Sequence, residues 1–143
     1  MRHEHRLTVQ TWQCDANGHV NNAVYLNYLE SARVAFLRAA GTSYRQMRER
    51  GVSLVVVRIC IDFRGEARME DSLVVVTEPV RRRLVGGTFR QAVYREDADK
   101  RTLIAEAEVS WACIDSNKRP AKIPDFVDAA ALEPSETPGI ELC

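Results

Sequence analysis

Residues 15–22 read Asp15-Ala16-Asn17-Gly18-His19-Val20-Asn21-Asn22 and lead straight into an apolar run from Ala23 to Ala40. The first four residues are turn chemistry. Asparagine and glycine accept left-handed backbone, and an aspartate side chain accepts hydrogen bonds from nearby amides. Between Ala23 and Ala40 the strongly polar residues are Asn27, Glu30, Ser31, Arg33 and Arg38. That pattern predicts a helix from about Asn22 to Ala40, apolar nearly all round and buried on most faces. Gly41 is placed to stop it. At a rise of about 1.5 Å per residue the helix spans about 28 Å, the breadth of a small domain. A single helix of this kind needs a sheet curved around it.

Working outward, Leu7 to Trp12 is β-prone and predicts a short first strand. Ser43 to Arg50 predicts a short amphipathic helix. After Gly51 the period changes to two: Leu54-Val55-Val56-Val57 leads into Ile59, Ile61 and Phe63, which alternate with Cys60, Asp62 and Arg64. Ser72 to Arg83 is a second run, with Pro79 marking an edge or a bulge. Gly86-Gly87 predicts a turn into Thr88–Arg95, and Asp97-Ala98-Asp99-Lys100 a further turn. Thr102 to Asp115 then places Ala105, Ala107, Val109, Trp111 and Cys113 on one face. Short turns imply antiparallel pairing. The expected fold is α+β: one long central helix wrapped by a curved antiparallel sheet of about five strands. A chain of 143 residues fits a single domain over 1–143, with 125–143 an irregular acidic tail.

Composition narrows the function. Apolar residues make up 45% and charged residues 28%, an ordinary globular balance. The formal net charge is zero, but residues 1–122 hold all 20 Lys and Arg and only 15 of the 20 Asp and Glu. A basic excess of that size is too weak for nucleic-acid binding, and it suits a local patch for a phosphorylated small molecule. The densest basic run is Arg81-Arg82-Arg83, followed later by Lys118, Arg119 and Lys122. The cysteines at 14, 60, 113 and 143 lack any C-x-x-C spacing, which argues against a structural zinc site and suggests free thiols in a reducing cytoplasm. No window approaches the ~18 apolar residues of a membrane span. His3-Glu4-His5 has no third ligand nearby, so no metal site is expected and a strand-edge role is. Gly51-Val52-Ser53-Leu54-Val55 lacks the final glycine of a nucleophile elbow, and phosphate-binding glycine loops are absent.

The stretch from Cys14 to Glu30, and above all His19-Val20-Asn21-Asn22-Ala23-Val24-Tyr25-Leu26, resembles the signature of the 4-hydroxybenzoyl-CoA thioesterase-like family, nearest its long-chain acyl-CoA branch. The resemblance covers roughly residues 5–124. It implies the hot-dog fold, an acyl-CoA (or acyl carrier protein) thioester as substrate, no separate cofactor, and a homodimer or homotetramer. It also implies Asp15 as the catalytic carboxylate and the backbone N–H near Asn22 as the group that polarises the thioester carbonyl.

Read physically, the segment suits thioester hydrolysis. A carboxylate sits in a turn just ahead of a helix N-terminus, which offers unpaired N–H groups and about half a positive charge. Those donors can stabilise an oxyanion, while Asp15 attacks directly or activates water. A thiolate leaves readily, so no separate acid is needed. Substrate contacts are expected from His19, Asn21, Tyr25 and Arg81-Arg82-Arg83. The bland readings are a turn-shaping histidine for His19, a helix cap for Asn21 and a solvated strand end for the arginines. Glu30 is expected to pair with Arg33. The alternatives are a hydratase or dehydratase of the same fold and a non-catalytic acyl-CoA-binding protein. Hot-dog hydratases use an Asp-x-Asn-x-x-His pattern, for which Asp15-Ala16-Asn17-Gly18-His19 is one residue short.

Overall fold

The computed structural model describes residues 1–136. In chain order it contains β1 (His3–Thr8), α1 (Asn22–Ala39), α2 (Tyr44–Glu49), β2 (Ser53–Phe63), β3 (Ser72–Arg83), β4 (Gly86–Asp97) and β5 (Lys100–Ile114). Short 3-10 turns occupy Thr11–Gln13 and Ala129–Leu132. The strands form one sheet in the order β1-β3-β4-β5-β2, antiparallel throughout. This is the α+β arrangement of one helix against five strands that the residue pattern predicts, and it is the hot-dog fold. The consecutive hairpins β3–β4 and β4–β5 place β1 and β2 at opposite edges.

Local chemistry sets the ends of α1. The Asn21 side chain accepts from the Ala23 N–H at 2.9 Å, the usual asparagine cap. At the other end the Thr42 N–H reaches Leu37 O at 3.0 Å and the Gly41 N–H reaches Arg38 O at 3.1 Å. Gly41 has φ +82°, so the helix closes in a Schellman motif that only glycine enters freely. Leu29, Ala32 and Phe36 of α1 are fully buried against Val75, Phe89, Val93, Ala105 and Ala107 of the sheet. The rings of Phe36 and Phe89 lie 5.0 Å apart, and Phe89 stacks on Trp111 at 5.6 Å. Ala105 and Ala107 of β5 are fully buried in the same core as this aromatic stack. Each such aromatic contributes about 1.5–3 kcal/mol on burial.

Four details differ from the sequence expectation. First, α1 is not buried on most faces: Ala23, Leu26, Asn27, Glu30 and Ser31 are exposed, because the sheet wraps only one side of it. Second, the first strand starts at His3 and ends at Thr8, with residues 11–13 forming a 3-10 turn. Third, Gly86 and Gly87 lie inside β4 and the turn is one step earlier. A Cβ on Gly87 would sit 2.5 Å from Arg81 O and 3.0 Å from the Trp111 ring, so close packing, not turning, requires the glycine. Fourth, Val127, Ala131 and Leu132 of the tail are buried in the core, while residues 137–143 lie outside the described part. Pro79 stands beyond the last β1 partner, Thr77, at a register shift between Pro79 and Arg81. There its missing N–H does no harm. Of the cysteines, Cys14 and Cys113 are free and Cys60 is disulfide-bonded. Local spacing reveals only short-range pairs, so sequence inspection could not show that bond. Cys143 lies outside the described residues.

Candidate active site

The Asp15 turn is closed by its own backbone. The Asp15 N–H donates to His19 O at 2.8 Å and the Gly18 N–H to Asp15 O at 3.0 Å. Gly18 has φ +79°, which the turn needs and glycine supplies without strain. One carboxylate oxygen, Oδ1, accepts from the Asn17 N–H at 2.9 Å and the His19 N–H at 3.3 Å. Oδ2 accepts nothing among the described residues. Two further bonds fix the turn to the body: Val20 N–H to Ala67 O at 2.9 Å and Asn21 N–H to Gln13 O at 3.1 Å. A bridge between His19 and Arg68 ties it to the segment joining β2 and β3.

The start of α1 stands next to this carboxylate. Asn21 caps the Ala23 N–H, and among the described residues the Asn22 N–H has no acceptor within the chain. A cleft of about 390 Å³ is lined by Asp15, His19, Asn22 and Tyr25 on one side and by Phe63, Arg64, Gly65 and Glu66 on the other. His19 Nε2 lies 3.1 Å from Glu66 Oε2. The Tyr25 hydroxyl accepts from the Ala67 N–H at 3.1 Å, and its ring packs edge-on against Phe63 at 5.4 Å. Burial raises the Tyr25 pKa, opposed in part by that amide bond, so the group stays a neutral phenol. Arg64 is held by Glu106 Oε1 at 2.9 Å and Asp62 Oδ2 at 3.2 Å.

The structure therefore brings Asp15, His19, Asn22 and Tyr25 to one cleft, with Asn21 beside it as a cap. It does not bring Arg81, Arg82 and Arg83 there. Arg81 to Arg83 lie about 30–36 Å from the Ser72 end of β3, at roughly 3.3 Å per residue, and Arg82 faces Glu133 at 3.8 Å. Nor does Glu30 pair with Arg33. Glu30 is exposed, and Arg33 turns inward, donating from Nη1 to Gln91 Oε1 at 2.9 Å. Sequence reading missed Phe63, Arg64, Gly65 and Glu66. Their one signal was the length of the β2–β3 connection, too long for a hairpin turn. Among the described residues no three His, Cys, Asp or Glu side chains gather as a metal centre requires, and no helix is long and apolar enough to cross a membrane.

Comparison with known proteins agrees with the fold. Residues 9–131 match the family described as the thioesterase-like superfamily. The chain is 30% identical over 110 residues to the long-chain acyl-CoA thioesterase FadM of Escherichia coli, covering 77% of this chain and 81% of that one. It is 30% identical over 125 residues to the chloroplast acyl-acyl carrier protein thioesterase ATL2 of Arabidopsis thaliana, covering 87% of this chain. The chain spans only 65% of the length of the chloroplast relatives. Among solved structures, a hypothetical protein of Thermus thermophilus, TT1821, superposes with TM-score 0.81 at 34% identity, covering 92% of this chain and 95% of that one.

Proposed function

Because the chain belongs to the thioesterase-like superfamily, we propose that it hydrolyses an acyl-CoA thioester to a free acid and a thiol. The observation that carries the reading is the juxtaposition in one cleft of the Asp15 carboxylate and the open N-terminus of α1. In this mechanism Oδ1 stays committed to the turn amides, and the free Oδ2 attacks the thioester carbonyl or removes a proton from water. Charge accumulates on the carbonyl oxygen, which the Asn22 N–H and the helix dipole stabilise. The carbon–sulfur bond then breaks and the thiolate takes a proton from solvent. Water hydrolyses the mixed anhydride if Asp15 was the nucleophile.

Coenzyme A and an acyl carrier protein are both carriers of this thioester in our reading, since both present the acyl group on the same pantetheine arm. Arg68, whose backbone pairs with His19, has an exposed guanidinium 3.6 Å from Glu66 of the cleft wall, and it is the cation we assign to the carrier's phosphates. His19 and Tyr25 shape the cleft wall around the acyl end. A homo-oligomer is part of the proposal. β2 is an edge strand carrying exposed Val56 and Val57, beside exposed Leu26 of α1, and an apolar open edge invites pairing with a second copy. Light scattering on the eluting protein reads that state directly. We place the activity in the cytoplasm, where acyl-CoA is met.

The test is thiol release across a panel of acyl-CoA thioesters, with Asp15→Asn alongside. Release by the parent protein and near-complete loss in the variant are expected. Full activity in the variant would remove Asp15 from the chemistry. Hydration of an enoyl-CoA without thiol release would assign the chain to the hydratases instead.

A further inference from the structure

A second cavity, of about 550 Å³, lies between α1, α2 and β2, apart from the Asp15 cleft. The two share one stripe of α1. Asn22, Leu26, Glu30 and Arg33 recur at helical spacing and so fall on one face, with about 16 Å of rise between the first and the last. β2 follows the same course: Phe63 lines the Asp15 cleft, and Ile59 and Val56 line the second cavity. The register shift between Val56 and Arg58 lets both Ile59 and Val56 face inward despite their odd spacing.

The second cavity has an apolar wall of Leu26, Leu54, Val56 and Ile59, and a polar side that carries Asn27, Glu30, Arg33, Tyr44 and Arg48. Arg33 is only 5% exposed, and its single hydrogen bond to a side chain of the sheet goes to a neutral amide, that of Gln91. Its Nε is buried without a partner, and among the described residues no carboxylate forms an ion pair with it. The Tyr44 phenol lies against the guanidinium. Glu30 and Arg48 also line the cavity, but both are exposed and opposite in sign. Arg33 is therefore the buried charge of this cavity, and among the described residues it has no ion-pair partner. Such a charge is costly unless an anion meets it, and planar guanidinium matches a carboxylate in both shape and charge.

We propose that this cavity takes the distal end of the acyl group, and that Arg33 selects acyl groups ending in a carboxylate. The proposal rests on the thioesterase reading for its orientation: the thioester lies at Asp15 and the chain runs along α1 between Leu26 and Ile59. Dicarboxylic acids carried as a thioester at one end are the substrate class.

The experiment compares kcat/KM for the mono-CoA thioester of a dicarboxylic acid with that for the monocarboxylic acyl-CoA of equal length, in the parent protein and in Arg33→Met and Arg33→Lys. The parent protein is expected to favour the dicarboxylic thioester by about ten- to a hundredfold, the scale of a charge-assisted hydrogen bond. Arg33→Met should abolish the preference and Arg33→Lys should restore part of it. Equal turnover of the two thioesters by the parent protein, or an unchanged ratio in Arg33→Met, overturns the proposal. If Arg33→Met does not fold, the parent ratio and its decrease in Tyr44→Phe decide. Calorimetry with the free dicarboxylate separates the two readings. Arg33-dependent binding without thioesterase activity would sink the hydrolase assignment alone, and no binding at all would sink this one. A change of oligomeric state in Arg33→Met with an unchanged ratio would give the anion to a second copy of the chain and also overturns it.

Discussion

Asp15 and Asp115 hold the same position in two copies of one turn. Asp115 N–H donates to Arg119 O at 2.9 Å and Lys118 N–H to Asp115 O at 3.0 Å. Asp115 Oδ1 accepts from the Asn117 and Arg119 amides at 2.8 and 3.0 Å. Lys118, at φ 60°, takes the left-handed place that Gly18 takes in the first copy, and an isolated bridge closes each turn, Cys14 to Val20 and Ile114 to Pro120. The bonds to Oδ1 are thus what this turn makes wherever it occurs. What distinguishes Asp15 is its setting beside the start of α1.

The pair makes a matched experiment. Asp15→Asn keeps an oxygen that can accept the turn amides and removes the charge, so the fold should persist while thiol release falls by about 10²–10⁴-fold, the range for a lost catalytic base. Asp115→Asn should leave thiol release as it was. Equal losses in the two variants would mean that the turn, not the carboxylate, is what activity depends on.

Gln91 is the pivot of the buried polar link between helix and sheet. Its amide nitrogen donates to Leu29 O at 3.0 Å and to Thr77 Oγ1 at 2.9 Å, and its oxygen accepts from Arg33. Gln91→Leu strands all three partners in the core. Each group left unsatisfied costs about 1–3 kcal/mol, so urea unfolding should show a loss of at least about 2 kcal/mol. Gln91→Glu, which retains one acceptor for Arg33 and adds a counter-charge, should lose less.

Stability in acid should depend on Glu4. Hydrogen bonds from Arg101, with its charge and that of Arg2 behind them, hold the Glu4 carboxyl near a pKa of about 2 against an ordinary value of 4.5. A folded-state pKa below the unfolded one stabilises above the unfolded value, and the benefit is lost as pH falls toward the folded value. The melting temperature should therefore drop between about pH 5 and pH 2, and Glu4→Gln should flatten that part of the curve. An unaltered curve would show that the Arg101 pair contributes nothing.

Gly87→Ala should be disruptive although the residue is small and lies in regular strand. Its new methyl meets Arg81 O and the Trp111 indole, both anchored in the sheet. Overpacking of this kind costs about 1–3 kcal/mol, read as a shifted denaturant midpoint. Gly51→Ala makes a useful contrast: there the space is open but φ is +80°, so its cost comes from backbone strain alone.

Much of this molecule could be read from its residues because the relevant physics is local. The period-two runs located β2 to β5, and the turn chemistry of Asp15 to Gly18 with the asparagine cap at Asn21 located the head of α1. Side chains that line the cleft from nearby in sequence, such as His19, Asn22 and Tyr25, were legible for the same reason. Contacts made across the fold were not. Phe63 to Glu66 reach the cleft only because β2 sits at the edge opposite β1, an order that no local pattern encodes. Arg81 to Arg83 attracted notice by density, but a strand's length carries them away. Arg33 was assigned to Glu30 by helical spacing, whereas the partner that the fold supplies is 58 residues away, on β4.

The irregularity in β2 has a further bearing on how such proteins diverge. The one-residue offset between Val56 and Arg58 decides which side chains of the strand's first half face the groove. A single insertion or deletion there would exchange that set for its neighbours, and Asp15, the turn and the head of α1 would keep their places. The part of the groove wall that β2 supplies is therefore separable from the turn that holds Asp15, so a lineage can change that wall in one genetic step without rebuilding how it reacts.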